Sequence, residues 1–215
     1  MPSLPLFPLG GTLMPGMRLP LQVFEDRYVA LLRHLIDSEG EELGFGVVAI
    51  RHGYEVGNRT NELCEVGCLE VLDRVVQVNP KLFLVLGHGT RRFRLDAVDE
   101  SAGTAWTTAE VTWLEDRPGD ETQIPVLAEA LCELVRDHGV TVGLEMAHPP
   151  DDTDLLAYWA AESLDLGRDD RQRLLEVSET SARLALVRRM AQRESALAAR
   201  LGLSGGPGAS RLSLN

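Results

Sequence analysis

Among 215 residues there is a single lysine, Lys81, and it stands in Pro80-Lys81-Leu82. A GxxxxGK[ST] phosphate-binding loop therefore cannot be written anywhere in the chain. Cysteine is also scarce. Three cysteines, an odd number, argue against a disulfide framework and for a reducing compartment. Positive charge is in deficit: 21 basic residues face 33 acidic ones, a net charge of −12. A protein that grips phosphates needs a basic face, so this balance disfavours nucleic acid as a partner. No apolar run is long enough to span a bilayer, and the first residues carry no cluster of positive charge. A cytoplasmic location is the expectation. No serine sits in a G-x-S-x-G elbow, and Gly44-x-Gly46 lacks the third glycine and the following helix of a dinucleotide fingerprint.

What is present is organised around Leu4 to Tyr28, LPLFPLGGTLMPGMRLPLQVFEDRY. Leu4, Leu6, Phe7 and Leu9, spaced by Pro5 and Pro8, read as an edge strand, because proline cannot donate to a central ladder. Gly10-Gly11 and Pro15-Gly16 are turn chemistry. Arg18 to Phe24 reads as a second strand. Glu25 and Asp26 then open a helix with Tyr28, Leu31, Leu32, Leu35 and Ile36 on one face.

Further on, Leu43 to Ile50 reads as a buried strand, His52 to Asn61 as a loop, and Glu65 to Val78 as a long bent strand. Asn79-Pro80 marks a turn before a hairpin partner, Lys81 to Gly87. Arg91 to Val98 and Thr104 to Leu114 complete about seven short strands, a count that favours a closed or nearly closed barrel. The composition breaks at Asp116 to Asp120. Beyond it, helical period takes over. One helix carries Leu127, Leu131, Leu134 and Val135, with Pro125 in its first turn. A second follows Asp151, Asp152 and Asp154 and carries Leu155, Leu156 and Trp159. A short one follows Gly167. A last one, capped by Ser178, buries Leu186, Met190, Leu197 and Leu201 and ends at Gly202. Residues 204–215 are rich in glycine and serine and are expected to be disordered.

The opening stretch closely resembles the start of the Lon protease N-terminal substrate-binding domain. The segments that carry the resemblance are Leu4 to Leu9, Pro15-Gly16-Met17, Leu19-Pro20-Leu21 and Phe24 to Tyr28. Glu65 to Cys68, Gly89 to Leu95, Gln172 to Glu176 and Arg183-Leu184 extend it to about residue 202. The chain is similar to free-standing bacterial members and, more distantly, to the N-terminal domain of cereblon. The resemblance implies an α+β fold: a PUA-like β-barrel over residues 1–117, then a bundle of about four helices over 118–203. It also implies a non-enzymatic recognition protein for unfolded or extended polypeptides, with a protease or chaperone machine as candidate partner. The ATPase loop and the Ser-Lys dyad of a full Lon protease are both missing from this sequence.

Several residues invite a chemical role. Cys64 and Cys68, with His52 and His88 nearby in sequence, have the makings of a metal site, yet buried small cysteines explain the pattern better and no second pair supports zinc. We expect no metal and no cofactor. Arg91, Arg92 and Arg94 read as a strand face with one member paired. The candidate peptide-binding residues are Met14, Pro15 and Met17, because adaptable methionines on an incompletely paired turn suit undemanding apolar contacts. Packing of that turn into the core is the equal alternative. The acidic surface would favour basic or neutral clients through its long-range field. An RNA-binding PUA-like protein is the rival reading, and an unrecognised hydrolase a third.

Overall fold

The computed structural model describes residues 2–38, 43–52, 62–99 and 101–200. Most of the expected loop after His52, and the whole tail from residue 204, lie outside the described residues. The chain divides into two units: Met1–Glu115 with Arg171–Glu176, and Asp116–Asp170 with Val177–Asn215.

Among its described residues the Met1–Glu115 part of the first unit carries seven strands and one helix: β1 (Ser3–Leu9), β2 (Arg18–Val23), α1 (Asp26–Asp37), β3 (Gly44–His52), β4 (Glu62–Leu63), β5 (Val66–Asn79), β6 (Leu82–Val98) and β7 (Thr108–Trp113). Their order is β1-β7-β6-β5-β3-β4, and a β1–β3 pairing closes the ring. Inside it Leu4, Leu6, Val48, Leu69, Phe93, Ala109 and Val111 form one buried cluster. The proline-marked β1 is not an edge strand. Its first half pairs antiparallel with β7 and its second half parallel with β3, so each proline meets a ladder on one side.

The two strands expected around Gly87 are a single strand, β6. Its first half pairs with β2 on one side and β5 on the other; its second half exchanges β2 for β7. Gly87 and Gly89 serve not as turns but as gaps in the side-chain layer. A Cβ on Gly89 would collide with the Met14 carbonyl oxygen, and one on Gly87 with the Glu70 carboxyl and the Val71 carbonyl. The strand expected from Thr104 begins only at Thr108, and the two-residue β4 had no sequence signal. In α1, Tyr28, Leu31, Leu32 and Leu35 are buried but Ile36 is exposed. Tyr28 stacks on Phe7 at 4.0 Å between centroids.

The second unit holds α2 (Ile124–Val142), α3 (Thr153–Ser163), the first turn of α4 (Arg168–Glu176) and α5 (Thr180–Arg200). Pro125 occupies the first turn of α2, and Asp152 caps α3 by accepting from the Asp154 N–H at 2.9 Å. Ser178 does not cap α5: its carbonyl accepts from the Arg117 N–H, and the Glu179 carbonyl receives the first helical bond, from Arg183. The buried stripe of α5 is Leu184, Val187, Met190, Ala191 and Ala198, while Leu197 faces water. The register is set by Arg183, which is wholly buried. It donates to Asp116 Oδ1 at 2.6 Å, to the Val177 carbonyl at 2.9 Å and to the Asp154 carbonyl at 3.2 Å, and lies over the Tyr158 ring. A buried guanidinium requires this many acceptors, and meeting them fixes how α5 is rotated.

Candidate functional site

Met14-Pro15-Gly16-Met17 forms a β-turn with the Met17 N–H donating to the Met14 carbonyl at 3.1 Å. Gly16 has φ +81°, and proline at the first central position with a left-handed glycine at the second is type II chemistry. Two further bonds pin the turn to β6: Gly16 N–H to the Gly89 carbonyl, and Gly89 N–H to the Met17 carbonyl. The close approach that Gly89 permits sends Met14 into the core, 0% exposed. Of the two readings of this turn, Met14 takes the packing into the core. Pro15 is buried too, and Met17 is half-buried.

From this anchor β2 runs antiparallel to β6, with Arg18 opposite His88, Pro20 opposite Leu86 and Gln22 opposite Leu84. The Gly89 N–H donates to the Met17 carbonyl, so by alternation along the register Leu19, Leu21 and Val23 direct their backbone groups at β6. Arg18, Pro20 and Gln22 then turn their backbone groups outward. Pro20, which has no N–H to give, falls on the side where none is needed. Among the described residues nothing pairs with that outer edge.

Beside the edge lies an apolar face. The Gln22–Leu84 row continues to Val76 of β5, and the Pro20–Leu86 row to Arg74. Leu84 is 43% exposed, Val76 41%, Val78 53%, and Phe24, just past β2, 58%. On the reverse side Val23, Phe83 and Val85 are buried. A three-stranded ribbon with one face in the core and branched aliphatics on the other thus ends in an open strand edge, the arrangement that lets an extended chain add as a further strand. Sequence reading passed over Leu84, Val76, Val78 and Phe24. The Val76-Gln77-Val78 alternation was visible, but which of its faces is open depends on strand pairing.

The other candidates are occupied structurally. Arg91 lies over the Trp113 ring at 4.4 Å, Arg92 is buried and donates to the Leu175 carbonyl at 2.7 Å, and Arg94 binds Asp96 at 2.9 Å. Cys64 belongs to the barrel core, and burial pushes the Cys68 thiol far up, away from thiolate character. His88 Nδ1 lies 2.9 Å from Asp73 Oδ1. No three metal-ligating side chains converge among the described residues. Glu70 is 0% exposed, and neither carboxyl oxygen has a hydrogen-bond partner among the described residues; burial, then the nearby Asp73 charge, push its carboxyl up to about 8. In the helical unit a groove of about 410 Å³ is lined by Val135, Val140, Leu144, Met146 and Trp159, with Cys132 at its side. The Cys132 thiol is raised by burial and is no activated nucleophile.

The described strands thus form a ring that carries an open-edged ribbon. Residues 3–193 match the family described as the ATP-dependent protease La (LON) substrate-binding domain, and the chain belongs to that family. It is 28% identical over 203 residues to a Lon protease of Anaeromyxobacter dehalogenans, covering 89% of this chain and 23% of that protein. With Lon protease 2 of Myxococcus xanthus the identity is 25%, over 89% of this chain and 24% of the relative. The chain thus spans about a quarter of the length of the curated relatives it matches. A crystal structure of a Lon N-terminal domain protein from Xanthomonas campestris superposes with TM-score 0.62 at 26% identity, covering 86% of this chain and 96% of that one. The N-terminal domain of a Mycobacterium avium complex Lon protease, at 18% identity and TM-score 0.63 over 89% and 98%, shares the fold. No described helix is long and apolar enough to cross a membrane.

Proposed function

We propose that this chain binds extended or unfolded polypeptide segments without acting on them chemically, and that it holds them at the outer edge of β2. The observation that carries the reading is the unpaired edge of Arg18, Pro20 and Gln22 set beside the exposed side chains of Leu84, Val76, Val78 and Phe24. Main-chain bonds supply affinity for any extended segment, and shallow aliphatic contacts select weakly among side chains. Met17 belongs to the rim of this surface. Met14 and Pro15 shape it by fixing the turn that launches β2. Delivery of clients to a protease or chaperone machine in the cytoplasm is consistent with the family and with three free cysteines.

The RNA-binding alternative has less support, since Arg91, Arg92 and Arg94 are each engaged within the protein. The deciding experiment is capture of an unfolded model protein by wild type, Gln22→Pro and Leu84→Glu. Gln22→Pro removes an outward N–H without touching the β2–β6 ladder. Each substitution is expected to weaken capture about fivefold, ~1 kcal/mol, with little change in melting temperature. Unchanged capture per folded molecule in both variants would remove β2 as the site.

A further inference from the structure

The whole-chain charge of −12 does not describe the ribbon. Its outward rows carry Arg18 and Arg74, both exposed, and Lys81 stands at the β5–β6 hairpin. None of the three makes an ion pair among the described residues, whereas Arg27, Arg94, Arg183 and Arg193 all do. Asp73 on β5 lies with its Oδ1 2.9 Å from His88 Nδ1. Among the described residues an acidic protein therefore carries cations without ion pairs on the ribbon that β2 borders. Salt screens the global field within about 10 Å at 0.1 M, so these local charges decide what is favoured at contact.

We infer that the segments held at β2 alternate apolar residues and end in a carboxylate side chain placed beside Arg18. The inference rests on the β2 edge being the binding site. Residues of an added strand that share the outward face lie two apart, next to Gln22, Pro20 and Arg18 in turn. Their nearest neighbours across the ladder are about 5 Å away. The positions beside Gln22 and Pro20 continue the rows of Leu84 and Leu86, where aliphatic side chains extend the exposed apolar face. The position beside Arg18 meets its exposed guanidinium. For an antiparallel client this gives an apolar–x–apolar–x–Asp/Glu order, and its reverse for a parallel one.

The test uses the full chain and three fluorescent peptides of the sequence Val-Gln-Val-Gln-X, flanked by glycine and serine, with X as Asp, Asn or Lys. Binding is followed by anisotropy. The Asp peptide is expected to bind about two- to fivefold more tightly than the Asn peptide, and the Lys peptide more weakly than either, the spread shrinking with added salt. Arg18→Glu should invert the order of the Asp and Lys peptides and leave the melting temperature unchanged. Three peptides of equal affinity, all weakened by Gln22→Pro, would overturn the charge preference while keeping the edge as the site. Binding insensitive to Gln22→Pro and Arg18→Glu alike would overturn both. Loss of a dimer in Gln22→Pro, seen by sedimentation, would give the edge to a second copy of this chain and sink the inference.

Discussion

The Glu70 carboxyl fills the gap at Gly87 with neither oxygen hydrogen-bonded among the described residues, and it is raised to about 8 by burial and by Asp73. Unfolded, the same group has the ordinary value of 4.5. Between those two values the folded state binds the proton and the unfolded state does not, so stability must fall as pH rises, by up to about 1.4 kcal/mol per unit. The loss levels off above the folded value, where both states are ionised. Thermal midpoints taken between pH 5 and pH 8.5 should therefore decline for wild type and decline much less for Glu70→Gln. Equal slopes would mean that Glu70 is ionised in the native protein. Met14 and Met17 separate in the same way. Met14→Ser opens a cavity and should cost about 2–5 kcal/mol in urea unfolding, whereas Met17→Ser, at a half-buried position, should cost less than about 1 kcal/mol. The sequence pair is symmetrical about Pro15-Gly16; only the close approach at Gly89 decides which methionine goes inward.

At the scale of elements, the strands and helices were legible wherever local pattern matches tertiary role. The type II turn, Pro125 in the first turn of α2 and the Asp152 cap follow directly from residue chemistry. Three features were not legible, for one reason: each depends on what lies across the ladder. The prolines of β1 suggested an edge, but β1 changes partner midway. Gly87 ended one expected strand and Arg91 began the next, but Gly87 and Gly89 lie in one extended ladder and make room for Glu70 and the Met14 backbone. Of the expected α5 stripe Met190 is buried but Leu197 is exposed, because the fully buried Arg183 and its acceptors fix the rotation, and Leu201 lies outside the described residues. The glycines give a prediction of their own. Gly89→Ala should dislodge the 14–17 turn, lowering the melting temperature and weakening polypeptide capture together. The exposed Gly103, with nothing near its missing Cβ, is the matched control, although its φ of +66° adds some backbone strain. A silent Gly89→Ala variant would show that the turn is not held against β6.

For the whole molecule, Arg171–Glu176 group in one unit with Met1–Glu115. Gln172 receives a bond from Thr12 and donates to the Val66 carbonyl at 3.0 Å, while Leu175 offers its carbonyl to the buried Arg92. A fragment ending at residue 117 lacks all of these partners and strands a buried guanidinium. It should unfold several kcal/mol more easily than the full chain, a difference that denaturant titration of both would expose. The central claim, that β2 receives extended polypeptide, is tested most directly by residue-resolved hydrogen exchange with and without a saturating unfolded client. Free, the outward N–H groups of Arg18 and Gln22 should exchange quickly and those of Leu19 and Leu21, bonded to β6, slowly. With client bound, Arg18 and Gln22 should become protected while α2 and α5 are unchanged. Protection confined to the helices, with Arg18 and Gln22 exchanging as before, would contradict the account.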